Sequence, residues 1–235
     1  MKAAVVNYNG GAGKTTLSTY LFKPRMPEDT VFFAIETINQ SATDLGVTNV
    51  EVLKGKNIGA VIERLVLEDN ALIDIGASNV ESFLEAASRY VGALDDIDLF
   101  VIPVTADQKC WQESLKTVEA LSKMGVPAEK IRLLPNRIED NPTDEIPAVF
   151  KYCKQSKKAT ISPDVFVYES EIFGYLAHNK MSFEALIDES VDYRKLAREE
   201  TDTDKRNEYA RMFRWNKMAI PIHNALDDCF AALSR

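Results

Sequence analysis

Residues 9 to 16, Asn9-Gly10-Gly11-Ala12-Gly13-Lys14-Thr15-Thr16, constrain this chain more than any other stretch. They follow the apolar run Ala3-Ala4-Val5-Val6 and precede Leu17-Ser18-Thr19-Tyr20-Leu21-Phe22, so a short strand, a glycine-rich turn and a helix are predicted in succession. Three glycines let the backbone fold tightly and aim successive N–H groups inward. The following helix adds its positive N-terminal end, and the concavity becomes a cradle for a polyanion. Lys14 then reaches the β- and γ-phosphates of a nucleotide, and the Thr15 hydroxyl ligates magnesium. The plainer reading is a glycine turn capping an ordinary helix; the strand before and the helix after favour the cradle.

The rest of the chain repeats the strand-and-helix alternation. Short apolar runs predict strands at 2 to 6, 31 to 35, 71 to 74, 98 to 104, 131 to 135 and 165 to 168, with helical patterns between them. Such runs indicate a parallel sheet covered on both faces. Ser78 with Glu81 has the spacing of a capping box, and Phe83, Leu84, Ala87, Tyr90 and Val91 continue one apolar face. Trp111, Leu115, Val118 and Ser122 fall on one side of the next helix, with Leu121 and Met124 beside them and Gly125 as its stop. Pro24 is read as ending the helix after the cradle.

Two further places carry chemistry. Asp74-Ile75-Gly76 closes an apolar run, and a carboxylate at the carboxyl end of a parallel strand can hold a magnesium-bound water beside the cradle. Gly76 lets its own N–H approach the γ-phosphate. Asn136-Arg137 ends another strand; the Asn136 amide can give and accept one hydrogen bond each, matching the N6/N7 edge of adenine. Asn136-Arg137-Ile138-Glu139 also imitates a guanine reader with Glu139 as the acid, although adenine is favoured. A third use of Asn136 is simply to bond loop backbone.

Adjacent glycines at 10 and 11, where a standard phosphate loop has its first glycine two positions earlier at Tyr8, match the deviant Walker form Lys-Gly-Gly-x-Gly-Lys-Thr. On that motif the chain resembles the ParA/MinD family of P-loop ATPases. The Asn-Gly-Gly loop and the Glu36-Thr37-Ile38-Asn39 segment look most like its StbB-type stability proteins of conjugative plasmids. The resemblance covers roughly residues 1 to 140. It implies an α/β single-domain P-loop NTPase over 1 to 235, with a mostly parallel sheet flanked by helices on both faces and a helical carboxyl-terminal part from about 180. It implies magnesium and ATP as cofactors, with Asn9 to Thr16, Gly76, Asn136 and Arg137 around the nucleotide and Thr15 and Asp74 at the metal. Lys14, Glu36 and Asp74 would be catalytic. Glu36 and Gln40 match the family's switch I pattern Asp-x-Asp-Pro-Gln, but Ile38 replaces its second acid. Asn9 stands where the family has its signature lysine, which crosses a dimer interface to the partner's phosphates. Slow hydrolysis coupled to an ATP-state homodimer is therefore expected, in plasmid partition, stability or conjugative transfer, with a DNA-bound partner protein. The rivals are a kinase or ligase of a small metabolite, and a nucleotide-locked binding module that never hydrolyses.

The 235 residues, 46% of them hydrophobic, suffice for one well-buried core. A net charge of −8 argues against a chain coated in positive charge for nucleic acid, yet leaves room for a local basic patch. Two such stretches occur: 151 to 158, and 203 to 218 with Lys205, Arg206, Arg211, Arg214 and Lys217 among Tyr209, Phe213 and Trp215. Each reads first as a solvated helix face; the alternative is non-specific DNA binding through the carboxyl half. Ile222 to Leu233 reads as a last helix whose Asp227 and Asp228 would repel anionic lipid, so it is expected to pack on the core rather than on a membrane. Three cysteines far apart, two histidines, and no targeting or spanning segment complete the expectation of a cytoplasmic protein without zinc or disulfides.

Overall fold

The computed structural model describes residues 1–35, 50–53, 58–188 and 190–235. Glu36, Thr37, Ile38, Asn39 and Gln40, read as a switch, lie outside the described residues. Among the described residues seven strands form one sheet: β1 (Lys2–Val6), β2 (Val31–Ile35), β3 (Val50–Leu53), β4 (Ala71–Ile75), β5 (Leu99–Val104), β6 (Ile131–Ile138) and β7 (Val167–Tyr168). Their order is β3-β2-β4-β1-β5-β6-β7, and every pairing is parallel. β1 lies between β4 and β5, so the chain leaves the sheet in opposite directions around the strand that feeds the glycine loop; a ligand crevice forms outside the carboxyl ends at such a point.

Alternation along the strands divides the core in two. Ala4, Val6, Phe33, Ile35, Ile73, Ile75, Phe100 and Ile102 face one side. There they meet α2 (Ile58–Leu67), α3 (Val80–Ala87), α4 (Gln108–Lys123) and α6 (Pro147–Ser156), the last following the short α5 (Pro142–Glu145). Ala3, Val5, Phe32, Leu72, Leu99 and Val101 face the other side. That side is covered by the helical stretch beginning with α1 (Lys14–Leu17), by α7 (Glu171–Asn179) and α8 (Phe183–Leu186), and by the long α10 (Thr203–Leu233), with α9 (Tyr193–Glu199) packed on α10. Sheet residues buried on both faces explain why the strands read as continuous apolar runs. Among the described residues no helix is long and apolar enough to cross a membrane.

Several local expectations are corrected. β3 is absent from the sequence reading: Val50-Glu51-Val52-Leu53 is a four-residue edge strand, half exposed, whose pattern is not apolar enough to stand out. α3 starts at Val80 after a 3-10 turn, with Asn79 as its N-cap and no side-chain cap bond, so the Ser78/Glu81 box is not what opens it. It ends at Ala87, leaving Tyr90 and Val91 exposed beyond it. On α4 the most buried positions are Cys110, Ser114, Thr117, Val118 and Leu121, a face turned by about one residue from the predicted one because two hydroxyls are taken inward. Gly125 does adopt a left-handed φ of 85° after that helix. Pro24 sits inside the 3-10 turn Lys23–Arg25, and the helical path ends one residue later at an extended Met26. The charged helix and the last helix are one helix, α10, running through Pro221. Proline in a helix interior costs about 3 kcal/mol, and burial on both sides of it offsets that cost: Asn216 and Ala219 before, Leu226, Cys229 and Leu233 after. The expected packing of its last turns on the core is present.

Candidate functional site

The loop between β1 and α1 is built by its own side chains. Gly13 takes φ 88°, open to glycine without strain, and serves as the N-cap of α1. Asn9 accepts the Gly11 N–H on Oδ1 at 2.7 Å, an Asx turn, and its carbonyl accepts from the Lys14 ammonium at 2.7 Å. Lys14 is only 6% exposed. The helical path beyond α1 loosens into a π-helical segment, Ser18–Phe22, before tightening into the 3-10 turn. π segments are uncommon and cluster at functional sites.

Asp74 lies on the same face of its strand as Leu72, the face that α1 covers. It is 1% exposed, and neither carboxylate oxygen has a hydrogen-bond partner. Burial pushes its carboxyl up to about 6, against the opposing pulls of the Thr15 hydroxyl, the Lys14 ammonium and the Ser18 hydroxyl. Those hydroxyls are near enough to favour the charge without closing a full hydrogen bond, and the Ser18 Oγ is itself buried without a partner. A buried carboxylate with both oxygens unspent beside a threonine hydroxyl is a donor set for a hard divalent cation. The residues therefore fit magnesium.

A cavity of about 890 Å³ opens above the loop, within the range of small-molecule sites. Gly10, Gly11, Gly13, Lys14, Thr15, Thr16, Gly76, Asn136 and Arg137, all named from the sequence, line it together. Asn9, Ala12 and Asp74 stand behind that lining, each against a residue that belongs to it. Gly76 is engaged differently from expectation, and Asn136 in the third of the ways open to it. The Gly76 N–H, read as approaching a phosphate, donates to the Ile35 carbonyl at 2.9 Å and so closes the end of the β2–β4 ladder. The Asn136 amide, 4% exposed, donates to the Ala12 carbonyl at 2.8 Å, so it buttresses the loop from below. Arg137 follows at φ 56° and points to Glu169, 3.8 Å away.

One wall of the cavity carries no motif in the sequence. Tyr168, Glu169 and Ser170 at the end of β7, and Glu171, Phe173 and Gly174 at the start of α7, face the loop across the cavity. The available signal was position: the run at 165 to 168 was legible as a strand, and its carboxyl end had to open onto the same crevice. The basic residues of α10 are exposed as expected. Trp215, however, turns inward, stacked on Tyr175 at 4.3 Å beneath the Arg214 guanidinium, so it serves packing and not a base.

No protein-family model and no curated protein matches the chain. Solved structures do. The cell division ATPase MinD of Pyrococcus furiosus superposes with a TM-score of 0.56 at 15% identity, over 91% of this chain and 98% of that one. A putative plasmid partition protein from Borrelia burgdorferi bound to AMPPNP gives 0.50 at 14% identity, over 91% and 96%. The septum site-determining protein MinD of Pyrococcus horikoshii, complexed with Mg-ADP, gives 0.50 at 14%, over 81% and 89%. Identities this low speak for architecture alone: the chain has the parallel α/β P-loop fold of the MinD and plasmid-partition proteins.

Proposed function

We propose that this protein binds magnesium-ATP in the cavity over residues 9 to 16, hydrolyses it slowly, and couples the bound state to homodimerisation in plasmid partition, stability or conjugative transfer, as an StbB-type protein of the cytoplasm. One observation carries the reading: the buried, unpartnered Asp74 carboxylate beside Thr15 and Lys14, beneath a cavity lined by the glycine loop. Its likeness in fold to proteins solved with AMPPNP and Mg-ADP supports the choice of ligand. Thr15 and Asp74 would hold the ion, and magnesium there supplies neutralisation of phosphate charge. Lys14 binds the terminal phosphates by exchanging the Asn9 carbonyl for phosphate oxygens. Asn136 holds the loop shape those contacts need. The exposed lysines and arginines of α10 offer the surface for DNA or for a DNA-bound partner protein.

Lys14→Ala is expected to weaken MgATP binding by about ten- to a hundredfold, the loss of one charge-assisted contact of roughly 1.5 to 3 kcal/mol. Calorimetric titration decides it; unchanged affinity would show that the ligand lies elsewhere.

Slow turnover follows from Asn9 and Ile38. The Asn9 side chain is uncharged and spent on the Gly11 N–H, so it offers no cation to a second subunit. Asn9→Lys is expected to raise phosphate release several-fold or to tighten an MgATP-dependent dimer seen by light scattering. If neither moves, this loop does not face a second copy.

A further inference from the structure

The entry to the glycine loop is tied into the body of the protein by side-chain amides that the reading above leaves unused. Asn7 is completely buried. Its Nδ2 donates to the Pro103 carbonyl of β5 at 2.7 Å and to the Ser114 hydroxyl of α4 at 2.8 Å, while its Oδ1 accepts the Asn9 N–H at 2.8 Å. Asn9 passes the connection on: its Oδ1 takes the Gly11 N–H and its carbonyl takes the Lys14 ammonium. Ser114 is equally buried, and its hydroxyl donates to the Cys110 carbonyl at 2.8 Å, which leaves it free to accept from Asn7. A second tether runs from the Tyr8 N–H to the Thr117 hydroxyl at 3.2 Å, but it does not continue to Asn9.

An amide taken wholly out of water is costly unless its hydrogen bonds are made, and here they are made to three separate parts of the protein. If residue 7 served packing alone, an apolar side chain would fill the place without that requirement. We infer that Asn7 is a positioning residue of the phosphate cradle: through Asn9 it fixes the backbone at Gly11 and the carbonyl on which the Lys14 ammonium rests before phosphate takes its place, with β5 and α4 as the reference. A loop whose backbone is already held in shape loses less freedom on binding, so one that loses this reference binds phosphate less well. The inference rests on the nucleotide reading of the same loop.

The test is calorimetric titration of MgATP and of inorganic triphosphate into the unmodified protein and into Asn7→Ala, Asn7→Ser, Ser114→Ala and Thr117→Ala. Asn7→Ala is expected to weaken both ligands at least tenfold. Asn7→Ser, whose hydroxyl can accept the same N–H two residues on, should recover part of that loss. Ser114→Ala should weaken binding in the same direction, and its combination with Asn7→Ala should cost less than the product of the two single losses, because one connection is being cut twice. Thr117→Ala should change binding less than threefold. Should Asn7→Ala not fold, Asn7→Ser and Ser114→Ala make the same comparison with Thr117→Ala. Undiminished affinity in the folded Asn7 and Ser114 variants, or an equal loss from Thr117→Ala, would overturn the inference while leaving the nucleotide reading standing. If the unmodified protein binds neither ligand, the nucleotide reading fails and the inference with it.

Discussion

Asp74→Asn should make the ligand-free protein more stable at pH 7, by about 3 kcal/mol. Burial raises the carboxyl from its ordinary value near 3.8 to about 6 in the folded chain, and two pKa units correspond to about 3 kcal/mol of preference for the neutral form. The sign follows from proton binding. Between pH 4 and pH 6 the folded protein holds a proton on Asp74 that the unfolded chain has released, so this group's contribution falls as pH rises through that window and stays low above it. Asparagine cannot ionise and escapes the penalty. The advantage of the variant should therefore be full at pH 7, shrink as pH falls from 6 to 4, and vanish below 4. Denaturant titrations of both proteins across this range isolate the effect, because every other carboxylate is common to them. Magnesium-nucleotide should reverse the ranking, since it stabilises only a folded protein able to hold it. Equal stabilities at pH 7 would mean that Asp74 is not the buried, unpartnered acid described above.

Gly13→Ala should lose about 2 to 5 kcal/mol of stability without touching the apolar core. A φ of 88° is open to glycine, whereas a residue with a Cβ pays about 1 to 2 kcal/mol for a left-handed conformation. The new Cβ would also lie 2.5 Å from Asn136 Nδ2. Moving that amide aside breaks its bond to the Ala12 carbonyl, and stranding buried polar groups costs about another 1 to 3 kcal/mol. Adding Asn136→Ala removes the clash, so the double variant should be less destabilised than the sum of the two single changes. A Gly13→Ala protein within about 0.5 kcal/mol of the parent, the usual scatter of surface changes, would show that the loop relaxes freely and that Asn136 does not brace it.

The glycine loop, its flanking strand and helix, and the acid at the end of β4 were legible in the sequence because each is encoded by neighbours in the chain. Glycines set a turn, an apolar run sets a buried parallel strand, and Gly-Lys-Thr at a strand-to-helix junction sets a phosphate-shaped concavity. Tertiary structure decided whatever depends on residues far apart. Asn136 meets Ala12 across 124 positions, and Asn7 meets Ser114 across 107; no local pattern says which buried amide will find which partner. The same holds for Gly76, whose N–H was free to be assigned to a phosphate until the strand beside it claimed it. Edge strand β3 exists only because β2 offers its unpaired side, and α10 runs through Pro221 only because the core holds both halves of it. The wall formed by β7 and α7 had no motif to announce it. β7 is the last strand in chain order among the described residues, and the parallel sheet brings its carboxyl end back to the mouth of the glycine loop that follows the first.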